Sequence, residues 1–228
     1  MKISSQFSKY ALSYDSLNVI QNLVVEKLMS RVSGEPQNIL DLGCGSGALC
    51  KSANWEYRSF TGVDFAAGML ELHPKSANVK CIYGDFNDNS LFDELSSSNY
   101  DYILSASALQ WADNLDEVFA NIKKLGAPIA LAIFTSNTFK TLNETASLDS
   151  LLKSAQEIEG LAEKHFHANF EIVKYKLEFE SVREMFKYIK RSGVSGSRRA
   201  LSYQETKKLM NEYPLSYLEF EVAFVTSD

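Results

Sequence analysis

Asp41, Asp64 and Asp85 each close a short apolar run in the first half of the chain, and Gly43, Gly45 and Gly47 follow directly on the first of them. A carboxylate at the end of a buried run accepts hydrogen bonds and offsets positive charge, so the set suits a ligand rich in donors. Asp41, two residues before Gly43, is placed to meet a ligand ammonium. Asp64, 23 residues after Asp41, is placed to hold the two hydroxyls of a ribose. Asp85, in YGDF, can accept from an adenine amino group while Phe86 or Met69 packs against the ring. Cys44 inside the glycine loop, and Phe65 and Ser105 at neighbouring strand ends, complete the candidate ligand-binding set. A single aspartate at a strand end is also an ordinary helix cap or turn former. It is the three at successive strand ends, with the glycines, that point to a ligand.

Positioning such residues requires a particular frame. From Asn38 onward short apolar runs (NILDL, SFTGVDF, VKCIYGD, YDYILSAS, PIALAIF) alternate with helix-like stretches. Nearly continuous apolar strands separated by helices predict a parallel sheet covered on both faces, the doubly wound α/β class. In such sheets ligands bind beyond the carboxyl ends of the strands, where the glycines let the backbone approach. Before this core, residues 16–32 predict a helix with Val19, Ile20, Leu23, Val24, Lys27 and Leu28 on a mostly apolar side, stopped by Gly34 and Pro36. After Phe134, TSNTFKTLNE reads as loop, residues 145–165 as helix and FEIVKYKLEF as a strand with one exposed face. Two helices, about 181–192 and 203–212, precede a last strand in LSYLEFEVAFVT. The expectation is one domain over 1–228: an N-terminal helical lid (1–34), a ligand-binding core (35–135) and a second half (136–228) whose residues 181–213 cap the cleft. The sheet should be Rossmann-like and seven-stranded, mostly parallel with an antiparallel C-terminal strand.

Bulk properties narrow the setting. A chain of 228 residues with 45% hydrophobic and 23% charged residues has the balance of a globular protein, and it lacks the ~18 uncharged apolar residues of a membrane span. The start has no apolar run behind its lysines, so no secretory signal is read there. Three cysteines without C-x-x-C spacing argue against a disulfide framework or zinc site and fit a reducing cytoplasm. A net charge of −6 excludes a globally basic, nucleic-acid-tracking surface. A local basic run does exist: Arg183, Lys187, Lys190, Arg191, Arg198 and Arg199 face a single acid, Glu184. It is either a solvated helix face or a dock for an anionic partner.

The D-x-G-x-G-x-G loop, the second-strand acid and the third-strand Gly-Asp resemble the motifs of class I S-adenosylmethionine (SAM)-dependent methyltransferases over residues 38–135. With Ala48 the loop also fits a relaxed nicotinamide fingerprint, which leaves a dehydrogenase as the reading from another class. A dehydrogenase would need an acid/base such as a Tyr-Lys pair, and no convincing one is found; dinucleotides also offer no cation for Asp41. The resemblance implies SAM as cofactor, S-adenosylhomocysteine as product, and an in-line methyl transfer in which the protein aligns and desolvates. No covalent residue is needed: Cys44 reads as a small packing residue, and His73, His165 and His167 form no triad or metal pattern. A carboxylate acceptor, already deprotonated, needs no general base.

Gln110 and Trp111, after the fourth strand, are expected at the lip of the cleft beside the methyl, with Trp111 as a core filler the other reading. Tyr14 is expected to close over the methionine end. These three are the candidate catalytic positions, acting only by positioning. The ALQW string, the basic helix and Gly-x-x-Gly turn in FKYIKRSGVSG, the short helix in LSYQETKKLMN and the YPLSY ending resemble the malonyl-(acyl-carrier protein) O-methyltransferases of biotin synthesis. That resemblance implies methylation of the free carboxylate of malonyl on acyl-carrier protein, or on coenzyme A, with Lys187, Lys190, Arg191, Arg198 and Arg199 as partner-binding candidates. One departure stands out. The family's arginine between the fifth and sixth strands has no counterpart, since no arginine lies between Arg58 and Arg183. Either Lys190 or a neighbour substitutes, or the acceptor differs. A quinone-type or polyketide methyltransferase and a non-catalytic SAM-binding protein share every cofactor motif.

Overall fold

The computed structural model describes residues 18–192 and 202–227, with the side chains of 190–192 excepted. Seven strands form one sheet: β1 (Asn38–Leu42), β2 (Ser59–Asp64), β3 (Val79–Tyr83), β4 (Tyr102–Ala106), β5 (Ile129–Phe134), β6 (Asn169–Glu178) and β7 (Tyr217–Thr226). Their spatial order is β3-β2-β1-β4-β5-β7-β6. β1 to β5 pair in parallel, β7 runs against β5, and β6 pairs antiparallel with β7. The order reverses between β1 and β4, which opens a crevice beyond their carboxyl ends.

The helices among the described residues are α1 (Val19–Met29), α2 (Ala48–Ser52), α3 (Ala67–Leu70), α4 (Asn89–Leu95), α5 (Leu115–Lys124), α6 (Lys140–Ala146), α7 (Ala155–His165), α8 (Val182–Ser192) and α9 (Tyr203–Glu212), with a 3-10 turn at Leu109–Trp111. None is long and apolar enough to cross a membrane. Side-chain alternation along the strands sorts the core into two layers. In β5, Ala130, Ala132 and Phe134 join Ile20, Val24 and Leu28 of α1 and Met185 and Tyr188 of α8. Ile129, Leu131 and Ile133 face the other way, onto Leu95 of α4, Phe119 and Ile122 of α5, and Ile158 of α7. This is the predicted doubly wound sheet, finished by an antiparallel strand.

Several expectations need correcting. Val19 and Leu23 are 48% and 41% exposed, and Val25 is buried in their place, so the apolar seam of α1 is Ile20–Val24–Val25–Leu28. β3 is the sheet edge, with Lys80 and Tyr83 exposed, and is only half buried. The stretch read as loop after Phe134 contains α6, and the helix expected over 145–165 is confined to α7. Ser147 sits at φ 51 and ends α6. Ser154 then starts α7 with a reciprocal capping box to Glu157, which satisfies the first free amides of the helix.

Candidate functional site

β1 delivers Asp41 into the crevice, and the turn that follows is made of left-handed glycines: Gly43 at φ 76, Gly45 at φ 52 and Gly47 at φ 82. Gly43 and Cys44 both donate to Val63 O of β2, at 2.8 and 2.9 Å, which ties the loop across the strand ends. The Asp64 carboxylate accepts from Gly45 N and Ala66 N, each at 2.8 Å. It thereby fixes the loops after β1 and β2 to each other. Burial pushes its carboxyl up, and these backbone hydrogen bonds oppose the rise.

A cleft of about 860 Å³, counted out to its open mouth, is lined by Asp41, Gly43, Cys44, Gly45, Asp64, Phe65, Met69, Phe86 and Trp111 of the predicted set. The sequence therefore brings most of its candidates together in one open cleft. Four others stand elsewhere. Gly47 packs away from the cleft, where a Cβ would lie 2.4 Å from Pro74 and 2.8 Å from His73. Ser105 is fully buried, donating to Leu42 O at 2.7 Å. Asp85 is exposed and accepts from Asn87 N and Nδ2 at 2.9 Å each, the ordinary turn-forming role. Gln110 turns back from the lip, its Nε2 donating to Ser107 O at 2.6 Å. Tyr14, Arg198 and Arg199 lie outside the described residues, as do the side chains of Lys190 and Arg191.

The sequence reading missed the other wall. Asn18 at the start of α1 and Gln21, Asn22 and Val25 within it line the cleft, as do Ala106 at the end of β4 and Ser107 and Ala108 after it. Ser107 is a non-glycine residue at φ 59, a conformation that costs energy and gathers at functional sites.

Asp41 carries the decisive observation. It is 1% exposed, and neither carboxylate oxygen has a hydrogen-bond partner. Burial, together with the nearby charge of Asp64, holds its carboxyl well above the ordinary value. A buried carboxylate without a donor is costly, and a cation entering the cleft relieves that cost. Cys44 is no nucleophile: burial and the Asp41 and Asp64 charges push its thiol far above the ordinary range. Among the described residues no group of acids, histidines and cysteines could hold a metal ion.

His73 lies beneath this loop, 3% exposed, with Nδ1 3.1 Å from Pro74 O and Nε2 unpartnered. Burial pushes its pKa below the ordinary 6.5, the contact with Pro74 opposes this, and Lys51 adds to it. The folded protein therefore binds fewer protons here than the unfolded chain, and stability must fall as pH drops below 6.5. Melting temperature followed from about pH 7 to 5.5 is expected to drop more steeply in the wild type than in His73→Gln; equal slopes would remove His73 as the cause.

Comparison with known proteins places the domain rather than its individual side chains. Residues 39–128 match the methyltransferase domain family. On the doubly wound sheet, that match makes the chain a SAM-dependent methyltransferase. Among curated relatives, the malonyl-(acyl-carrier protein) O-methyltransferase of Anoxybacillus flavithermus is 26% identical over 95% of this chain and 90% of its own. That of Halalkalibacterium halodurans is 27% identical over 92% and 90%. In fold, the chain is similar to phosphoethanolamine N-methyltransferase 2 of Haemonchus contortus, solved in complex with SAM. The TM-score is 0.59 at 17% identity, covering 97% of this chain and 57% of that one.

Proposed function

We propose that the protein transfers the methyl group of SAM to the free carboxylate of malonyl carried on acyl-carrier protein. The lining of the cleft carries this reading. Its ionisable side chains are Asp41, Cys44 and Asp64. Both acids are assigned to the cofactor, and the Cys44 thiol is held protonated. Around Ser107 and Trp111, where the acceptor would sit, no lining side chain among the described residues can take a proton. Such a site suits an acceptor that is already an anion at neutral pH. The similarity over most of the chain to two enzymes named for this reaction supports the same acceptor.

In this reading the cofactor supplies a methyl on a sulfonium, and the chain supplies position. Asp41 holds the ammonium and Asp64 the ribose hydroxyls. Met69 and Phe86, 2% and 6% exposed, enclose the adenine, and Phe65 completes that wall. Trp111 shuts water out of the transfer path.

The partner surface falls on α8. Met185 and Tyr188 are buried against the same layer as α1, while Arg183 and Lys187 are exposed on the opposite side. Arg183 and Lys187 thus put positive charge on the side of the sheet from which α1 reaches the cleft. An acidic carrier protein would be steered to it.

Purified protein with SAM and malonyl-acyl-carrier protein should add the mass of one CH2 to the acyl chain. No gain, with SAM binding intact, would reject this acceptor and favour another small molecule. Reversing charge in Arg183→Glu/Lys187→Glu should raise KM for the carrier protein roughly 10-fold or more at low salt, with little change for malonyl-coenzyme A. Equal effects on both substrates would remove the docking surface.

A further inference from the structure

We infer that Gln21, on α1, recognises the amino-acid end of the cofactor by sharing its ammonium with Asp41. This rests on the assignment of Asp41 to that ammonium and adds a second element of the fold to the same subsite. Asn18, Gln21, Asn22 and Val25 line the cleft at the i, i+3, i+4, i+7 spacing of one helical face. The adjacent face, Ile20, Val24 and Leu28, is 0% exposed and fastens α1 to the sheet. The helix therefore holds these amides in place against the rigid core.

Gln21 Oε1 is buried and has no hydrogen-bond partner, as are both oxygens of Asp41. Three acceptor atoms, and the Ser107 hydroxyl with them, thus line one cleft without a hydrogen-bond partner, although buried polar groups are nearly always satisfied. An amide carbonyl and a carboxylate only accept, so the group that completes them must bring several N–H or O–H bonds, and beside a carboxylate it is best positively charged. A primary ammonium has three N–H donors in tetrahedral array and fits both. Of the cofactor's other donors, the ribose hydroxyls belong with Asp64, at the neighbouring strand end, and the adenine amino group with the ring between Met69 and Phe86.

Calorimetric binding of S-adenosylhomocysteine, and of methylthioadenosine, which lacks the amino-acid end, tests this without a methyl acceptor. Gln21→Leu should weaken S-adenosylhomocysteine roughly 10- to 100-fold and leave methylthioadenosine unchanged, the latter also reporting a folded site. Gln21→Glu, which keeps the accepting oxygen, should retain most of the affinity. Unchanged binding in Gln21→Leu, equal loss for both ligands, or a loss in Gln21→Glu as large as in Gln21→Leu would each overturn the inference. A wild type that binds methylthioadenosine no more weakly than S-adenosylhomocysteine would do the same. Failure of the wild type to bind either ligand would overturn the cofactor site as well.

Discussion

Asp64→Ala is expected to lose SAM binding almost completely while the chain stays folded. The Asp64 carboxylate accepts backbone N–H groups from Gly45 and Ala66, and its two oxygens offer about four lone-pair sites in all, which leaves room for ribose hydroxyls. A hydrogen bond to a charged group contributes about 1.5–3 kcal/mol, so losing two removes about 3–6 kcal/mol, or roughly 10²- to 10⁴-fold in affinity. The same substitution releases Gly45 N and Ala66 N, which loosens the loops that shape the cleft. Asp64→Asn separates the two contributions. Its amide keeps one accepting oxygen, so it should hold one of the loops and an intermediate affinity. Isothermal calorimetry beside a melting curve reads both. Wild-type affinity in Asp64→Ala would mean that the ribose lies elsewhere and that the sheet register assigned to the site is wrong.

How far the sequence reveals such a site depends on whether each residue's task leaves a local mark. Asp41 and Asp64 are legible because a strand end and a glycine turn are both written in residue types, and strand-end geometry fixes where they point. Asp85 has the same outward mark, yet the structure leaves it exposed, with Asn87 two residues on donating to it in a turn. Gln110 follows a strand like a lip residue, yet the 3-10 turn at Leu109–Trp111 rotates it back onto Ser107 O. That rotation depends on backbone angles that neither side chain encodes. Ser107 itself adopts a left-handed conformation with no glycine or asparagine to announce it. The amides of α1 are legible only as polar residues on an amphipathic helix, and solvent is the default reading of such a face. What separates a ligand-facing stripe from a solvated one is the neighbouring cleft, which is formed by residues distant in the chain. The layers themselves were easier, because unbroken apolar runs such as β5, buried at every position, arise from many residues acting together.

The glycine loop allows a sharper test, because the same substitution two residues apart should fail in different ways. At Gly43 a Cβ would stand 2.2 Å from the Cβ of Ala108, a residue fixed behind β4 and 9% exposed. Gly43→Ala therefore forces two backbones apart and also places a side chain at φ 76. Left-handed strain of about 1–2 kcal/mol and overpacking of about 1–3 kcal/mol together predict a loss of about 2–5 kcal/mol in stability. That is a large share of what holds a domain folded. At Gly45, which lines the cleft, a Cβ would meet nothing within 4 Å. Gly45→Ala should cost only the left-handed strain, about 1–2 kcal/mol, and leave a cooperative melt. Its Cβ would instead occupy ligand space, so SAM affinity should fall out of proportion to stability. Urea unfolding and SAM titration of the two variants distinguish these outcomes. If Gly43→Ala melts like the wild type, Ala108 does not abut the loop as described. If Gly45→Ala binds SAM normally, the ligand does not approach that turn of the backbone, and the glycines serve the fold alone.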